Sequence, residues 1–161
     1  MGSDFYTMSI LPYAPIIVKI CRAYTNTQSD FEDYYQEVCL QIWRSQDSFS
    51  VNAQWSTWVY KISLNVCLTY LKKSKNNSLA SDPLPDEVIT DSQISTEHAI
   101  EQLYAGIRQL SELDRAIILL YLEETPYQEI SDIIGTTPNN IGVRIARIKT
   151  RLNKILKLED N

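Results

Sequence analysis

The sequence predicts an all-α protein: two small helical domains joined by a flexible linker, the C-terminal one a helix-turn-helix. Three observations predict it. Apolar residues recur at helical spacing, with only four glycines in 161 residues and no long apolar run. Residues 76–95, NNSLASDPLPDEVITDSQIS, break that spacing with Ser, Asn, Asp and two prolines, the composition of a linker. Residues 111–157 carry three helix-start signals in succession. The expected division is a helical domain over 1–75, an acidic linker over 76–95 and a helix-turn-helix domain over 96–161.

Residues 1–7 read as a frayed start. The first helix is expected over 9–25, with Ile10, Ile16, Ile17, Ile20 and Cys21 apolar and with Pro12 and Pro15 limiting its first turns. The second is expected over 29–44, opened by a capping box of Ser29 and Glu32. Phe31, Tyr35, Val38 and Ile42 form a core stripe on it. Asp33, Glu37, Leu40 and Arg44 form a mixed stripe that, by itself, reads as plain solvation. Residues 45–54 are a polar loop with Phe49 as its one buried candidate. In the next helix Trp55, Trp58, Tyr60 and Tyr70 are interleaved with Lys61, Lys72, Lys73 and Lys75, and Ile62, Val66 and Leu68 help form the core side. Flat faces beside ammonium groups suit a single-stranded nucleic acid. The plainer reading stands beside it: Trp58 in the core and lysines solvating a helix end.

The second domain opens near Thr96, with Ile100, Leu103, Ile107 and Leu110 on its apolar face. Ser111 and Asp114 then cap a helix that carries the apolar run 117–120. Thr125-Pro126 places a hydroxyl at the N-cap and a proline at the first helical position, with Gln128 closing the box. Thr137-Pro138 repeats the device, with Asn140 in place of the acid. Between these two starts lies a short helix over 127–134, stopped by Gly135. A short helix, a tight turn with glycine and a longer helix make a helix-turn-helix.

The longer helix carries the functional signal. At about 100° per residue, Ile141, Ile145, Ile148, Leu152 and Ile155 fall on one stripe. Asn140, Arg144, Arg147, Arg151 and Lys154 fall on the stripe beside it. Six basic residues and no acid lie between Pro138 and Lys157, although the whole chain has net charge −5. The acidic excess sits elsewhere: residues 76–110 hold six acids against Arg108 alone, so an acidic total does not exclude a nucleic-acid binder. A basic helix alone is often just solvated. Behind a helix-turn-helix, nucleic-acid contact is the better reading.

Cys21, Cys39 and Cys67 are odd in number and widely spaced, and read as small buried hydrophobes in a reducing compartment. His98, the only histidine, reads as a helix-start residue. No metal site, cofactor motif or catalytic residue is expected. With no secretory pattern and no membrane span, the expected location is the cytoplasm, without direct membrane insertion.

The order FEDYYQEVCLQIWRS, WSTWVYKISLNVCLTYLKK, a linker, then LSELDRAIILLYLEETPYQEISDIIGTTPNNIGVRIARIKTRL resembles the extracytoplasmic-function (ECF) sigma factors of bacterial RNA polymerase. The resemblance covers about 13–156 and takes in two domains of that family, region 2 and region 4, in order. It implies that Asp33, Gln36, Glu37, Leu40 and Arg44 dock on the clamp helices of core RNA polymerase. It implies that loop 45–54 and the following helix, through Trp55, Lys61, Asn65, Lys72 and Lys73, read the promoter minus-ten element and capture an extruded base. Thr137, Asn139, Asn140, Arg144, Arg147 and Arg151 would read the minus-thirty-five element on promoter DNA. An anti-sigma factor, often membrane-anchored in the family, would be a further partner. Leu64 stands where the family often has a basic residue, Thr69 where it has an acid, Gly142-Val143 for Lys-Ser and Asn139-Asn140 for Gly-Thr. Gly142 would permit close backbone approach to DNA.

Three other functions compete. A helix-turn-helix regulator acting without core-polymerase docking would need a sensing N-terminal half, and no ligand motif is evident there. A nucleic-acid enzyme would need a carboxylate cluster or a nucleophile with its base; Asp30, Glu32 and Asp33 are adjacent in sequence but spread by helical geometry. The last is a protein-interaction module with no DNA activity.

Overall fold

In the computed structural model the described residues are 3–49, 54–76 and 94–160. Among them the regular structure is helical. Seven helices carry the fold: α1 Ala14–Ala23, α2 Gln28–Arg44, α3 Trp55–Asn76, α4 Ile94–Arg108, α5 Glu112–Leu122, α6 Tyr127–Ile134 and α7 Pro138–Asp160. The chain forms two compact units, Met1–Leu84 and Pro85–Asn161. That division falls inside the stretch expected to be a linker, most of which lies outside the described residues.

In the first unit the chain is helical earlier than its sequence suggests. An α-turn Ser3–Phe5, a π-helical turn Tyr6–Ile10 and a 3-10 turn Leu11–Tyr13 precede α1. Proline has no N–H to offer a preceding carbonyl, and with Pro12 and Pro15 in place the regular α-helix starts only at Ala14 rather than near residue 9. Ile10, Ile17, Ile20 and Cys21 are buried, as the periodicity requires, while Ile16 is half-buried.

The cap of α2 differs from the expectation. Thr27, not Ser29, is the N-cap: its backbone is extended and its hydroxyl accepts from the Asp30 N–H at 3.0 Å. The core face is also rotated. Tyr34, Val38, Cys39 and Ile42 are buried, while Phe31 and Tyr35 are half-buried. Tyr35 meets Tyr6 hydroxyl to hydroxyl at 3.2 Å, and Tyr34 packs edge-on against Tyr70 at 5.2 Å between centroids. On α3, Val59, Ser63, Leu64, Val66 and Cys67 face inward, and Ile62 and Leu68 are only half-buried. Ser63 satisfies its buried hydroxyl by donating to the Val59 carbonyl at 2.8 Å.

In the second unit local signals dominate. Ser111 accepts from the Asp114 N–H at 3.2 Å and caps α5. Thr137 accepts from the Asn140 N–H at 3.2 Å at the start of α7. One start is shifted: Pro126 itself is the N-cap of α6, and no side chain caps that end. Gly135 takes φ 89°, which a β-carbon would oppose. There the N–H groups of Gly135 and Thr136 both donate to the Ser131 carbonyl, at 2.8 and 2.9 Å. The core gathers Ile107, Ile117, Leu120, Ile130, Ile141 and Ile145, each within 1 % of fully buried. Each contributes about 1.5–3 kcal/mol by burial, more than the roughly 1 kcal/mol of a cap; packing stabilises, and caps set where the helices begin. Ile100 is 41 % exposed and Tyr104 buried in its place. A β-carbon on Gly106 would lie 3.3 Å from Leu152 Cδ2, so this glycine lets α4 approach α7 closely.

Candidate nucleic-acid and protein interfaces

The buried stripe of α7 fixes which way its basic stripe points. Ile141, Ile145, Ile148 and Leu152 are all buried, so their neighbours turn outward. Thr137, Asn139, Asn140, Arg147, Arg151 and Lys154 are exposed, and Arg144 is half-buried. The Asn140 amide donates to the Thr136 hydroxyl at 2.7 Å, which holds the amide at the first turn and leaves its carbonyl oxygen as acceptor. Two arginines are tied within the unit. Arg144 Nε lies 3.4 Å from Asp114 Oδ1, and Arg151 donates from Nη2 to the Gln109 carbonyl at 3.1 Å. Lys149 stands 4.4 Å over the Tyr121 ring; its hydrogen bond with Tyr121 raises its pKa, so it stays charged. Gly142 does not face open space: its missing β-carbon would meet the Tyr127 ring at 3.5 Å.

On α3, Lys61, Asn65 and Lys72 are exposed and share a stripe at helical spacing, with Lys73 exposed beside it. Trp55 is placed differently from these. It is half-buried, its indole N–H donates to the Ser9 carbonyl at 2.8 Å, and its ring lies among Phe5, Phe49 and Trp58, at 6.3, 5.0 and 4.7 Å between centroids. Phe49 therefore seals the start of α3, and the loop residues 50–53 lie outside the described residues.

On α2, Asp33, Gln36 and Arg44 are exposed, and Glu37 and Leu40 are half-buried. Arg44 and Glu37 pair at 4.0 Å, an exposed contact worth at most about 1 kcal/mol. Between α2 and α3 lies an open groove of about 320 Å³ lined by Glu37, Gln41, Asn65, Thr69, Tyr70 and Lys73 among others. Burial, the Glu37 charge and its hydrogen bond to the phenol raise the Tyr70 pKa. Glu37 thus belongs both to the outer stripe and to the groove, a double placement that its sequence spacing does not reveal.

The three cysteines are free thiols in the first core. Burial pushes Cys39 up to about 11, and a hydrogen bond with Cys21 followed by burial raises Cys67. Among the described residues no group of His, Cys, Asp and Glu could hold a metal ion, and no helix is long and apolar enough to cross a membrane.

The family profile Sigma-70 region 2 matches residues 10–77, and Sigma-70, region 4 matches residues 100–152. Curated relatives align over nearly all of the chain. The ECF RNA polymerase sigma factor SigW of Bacillus subtilis is 24% identical, over 90% of this chain and 85% of its own. SigG of Mycobacterium tuberculosis is 24% identical over 89% of this chain and 46% of its own, so the chain spans about half the length of that relative. The chain belongs to the ECF sigma factor family. The fold agrees: the sigma factor RpoE of Bartonella quintana, solved in complex with the anti-sigma factor NepR, superposes with a TM-score of 0.72 at 20% identity, over 97% of this chain and 98% of that one.

As an ECF sigma factor the chain has its α7 basic stripe inside the region 4 match and its α2 and α3 stripes inside the region 2 match. Leu64, which departs from the family's frequent basic residue, is buried at 4 % exposure, so its apolar character serves the core. Thr69 is exposed at the groove. Sequence reading missed Asp114 and the Gln109 carbonyl as partners of Arg144 and Arg151, because no local spacing links residues 30 and 42 positions apart. It also missed Gln41, and it placed Tyr70 among the aromatic residues beside the lysines without linking it to Glu37.

Proposed function

We propose that this chain is a promoter-recognition subunit of RNA polymerase, binding core polymerase and promoter DNA and performing no catalysis of its own. One observation carries the reading: region 2 and region 4 match in order, and the helix-turn-helix of the second presents an outward basic stripe on α7. On this reading Asp33, Gln36, Glu37, Leu40 and Arg44 form the polymerase-docking surface. Lys61, Asn65, Lys72 and Lys73, with Trp55 half-buried within its aromatic cluster, attend the minus-ten strand, where stacking and phosphate contacts offset the unstacking of a base. Thr137, Asn139, Asn140, Arg144, Arg147 and Arg151 meet the minus-thirty-five duplex. Asn140 and Arg144 lie in the first two turns, where base edges are in reach; Arg151 lies further along, where phosphates are the contact. The segment 76–95 serves as a linker between the units. The protein acts in the cytoplasm, and an anti-sigma factor is its regulator, as NepR is bound to the RpoE neighbour. The first unit supports this reading over a regulator that works without polymerase, since its residues 10–77 match Sigma-70 region 2.

The test is transcription in vitro with bacterial core RNA polymerase on a library of genomic fragments. The expected result is initiation at discrete start sites only when the chain is added. Initiation identical with core enzyme alone would refute the proposal.

A further inference from the structure

The arginine expected to read bases is not free, and one carboxylate oxygen of the acid beside it meets no hydrogen-bond donor among the described residues. Asp114 sits in the first turn of α5, where its own N–H donates to the Ser111 cap at 3.2 Å. Its Oδ1 is buried, and among the described residues no donor reaches it in hydrogen-bonding geometry. Arg144 on α7 brings its Nε to 3.4 Å from this oxygen; the contact is an ion pair, not a well-aligned hydrogen bond. A buried carboxylate oxygen without a donor is costly. Its charge is balanced by Arg144 and by the N-terminal end of α5. The acid therefore has a reason to keep Arg144 in one place.

The engaged atom decides what that does. Side-chain exposure is 33% for Arg144 and 24% for Asp114, so the pair lies partly exposed at the surface. Asp114 faces Nε, along the side of the guanidinium. Recognition of guanine O6 and N7 uses the forked end, Nη1 and Nη2. The two contacts occupy different edges of one planar group and can be made together. Other basic residues of the stripe, such as Arg147, are exposed.

We propose that Asp114 is a positioning residue for promoter specificity: it holds the Arg144 guanidinium by its Nε edge and presents the forked end to a base. This rests on the proposed function. Ordering a long side chain before binding removes part of the entropic cost of the contact. The gain falls on sequences that offer the matching base, so Asp114 sharpens preference without touching DNA. An acid that locked Arg144 away from DNA would do the opposite, weakening all binding alike.

The experiment is selection from a randomised duplex pool by the full chain assembled on bacterial core RNA polymerase, with core enzyme alone subtracted. Wild type, Arg144→Ala, Asp114→Asn, Asp114→Glu and the double variant Asp114→Asn/Arg144→Ala are compared, each shown to be folded by thermal melting. Asp114→Asn is expected to flatten the same base positions as Arg144→Ala, by about 2- to 10-fold in preference. It should add nothing in the Arg144→Ala background. Asp114→Glu should restore part of the preference. An unchanged motif in folded Asp114→Asn overturns the inference and leaves the functional reading intact. Tighter binding of Asp114→Asn to every duplex, motif unchanged, overturns it in favour of a lock. A wild type that enriches no motif overturns the functional reading, and this inference with it.

Discussion

The two units are both small helical bundles, but they are specified in different ways. The second is built from local devices: Ser111 and Thr137 cap α5 and α7 across three residues, and Gly135 turns the chain between α6 and α7. Its core is aliphatic, from Ile107 to Leu152. The first unit is held by aromatic and thiol contacts between residues far apart. Trp55 bonds to Ser9 across 46 positions, Tyr35 meets Tyr6 across 29, and Tyr34 packs on Tyr70. A unit of the first kind is legible in sequence. A unit of the second kind hides which aromatic residues are structural and which are free to meet a ligand.

Trp55 is the sharpest place to break this comparison. With its ring in a four-membered aromatic cluster and its N–H bonded to Ser9, Trp55→Ala should cost about 3 kcal/mol in the first unit. Denaturant unfolding followed by region-specific hydrogen exchange would show the loss in 10–76 and none in 100–152. A variant as stable as wild type, altered only in single-stranded DNA binding, would make Trp55 a free stacking platform instead.

The corresponding break in the second unit is smaller. Gly135→Ala places a β-carbon at φ 89°, with nothing within 4 Å to clash. The expected cost is therefore backbone strain alone, about 1–2 kcal/mol. Thermal melting of this variant against Gly135→Asn, which tolerates the left-handed region better, checks the cause. Equal losses for both would point to some origin other than φ.

Alkali should separate the units with the smallest effect near neutral pH. Burial pushes Tyr34 up to about 12 and Cys39 up to about 11, from ordinary values of 10.0 and 9.0. These acids hold their protons more tightly in the folded state, so the unfolded state binds fewer protons once pH passes their ordinary values. Stability of the first unit is then unaffected at pH 7, starts to fall above about pH 9 and keeps falling towards pH 12. Melting followed by exchange at pH 7 to 10.5 measures it. A second unit that weakened first, or a first unit that did not weaken, would place the buried thiols and phenols outside the core.

The same contrast explains what the sequence reading reached. The helix-turn-helix, its glycine and the buried stripe of α7 follow from spacing and capping alone, because those contacts are local. Spacing alone puts the cap of α2 at Ser29, two residues late, since Thr27 and Ser29 both carry a hydroxyl able to cap a helix. Ile100 was assigned to the apolar face of α4, but Tyr104 takes the burial there. The candidate site was legible as stripes, not as partners. Nothing near Arg144 in sequence points to Asp114, and nothing near Glu37 points to Tyr70.

The division of labour between the units depends on the outer stripe of α2. Glu37 is unsuited to a clean test because it pairs with Arg44 and accepts from Tyr70. Asp33 and Gln36 are exposed, so Asp33→Lys/Gln36→Lys should spare the fold. The most direct measurement is titration of the fluorescently labelled chain with bacterial core RNA polymerase, wild type against this variant, with helicity followed by circular dichroism. Saturable binding by wild type, weakened at least about tenfold in an equally helical variant by loss of interface contacts, is the predicted result. No saturable binding by wild type, or equal binding by both, would contradict it.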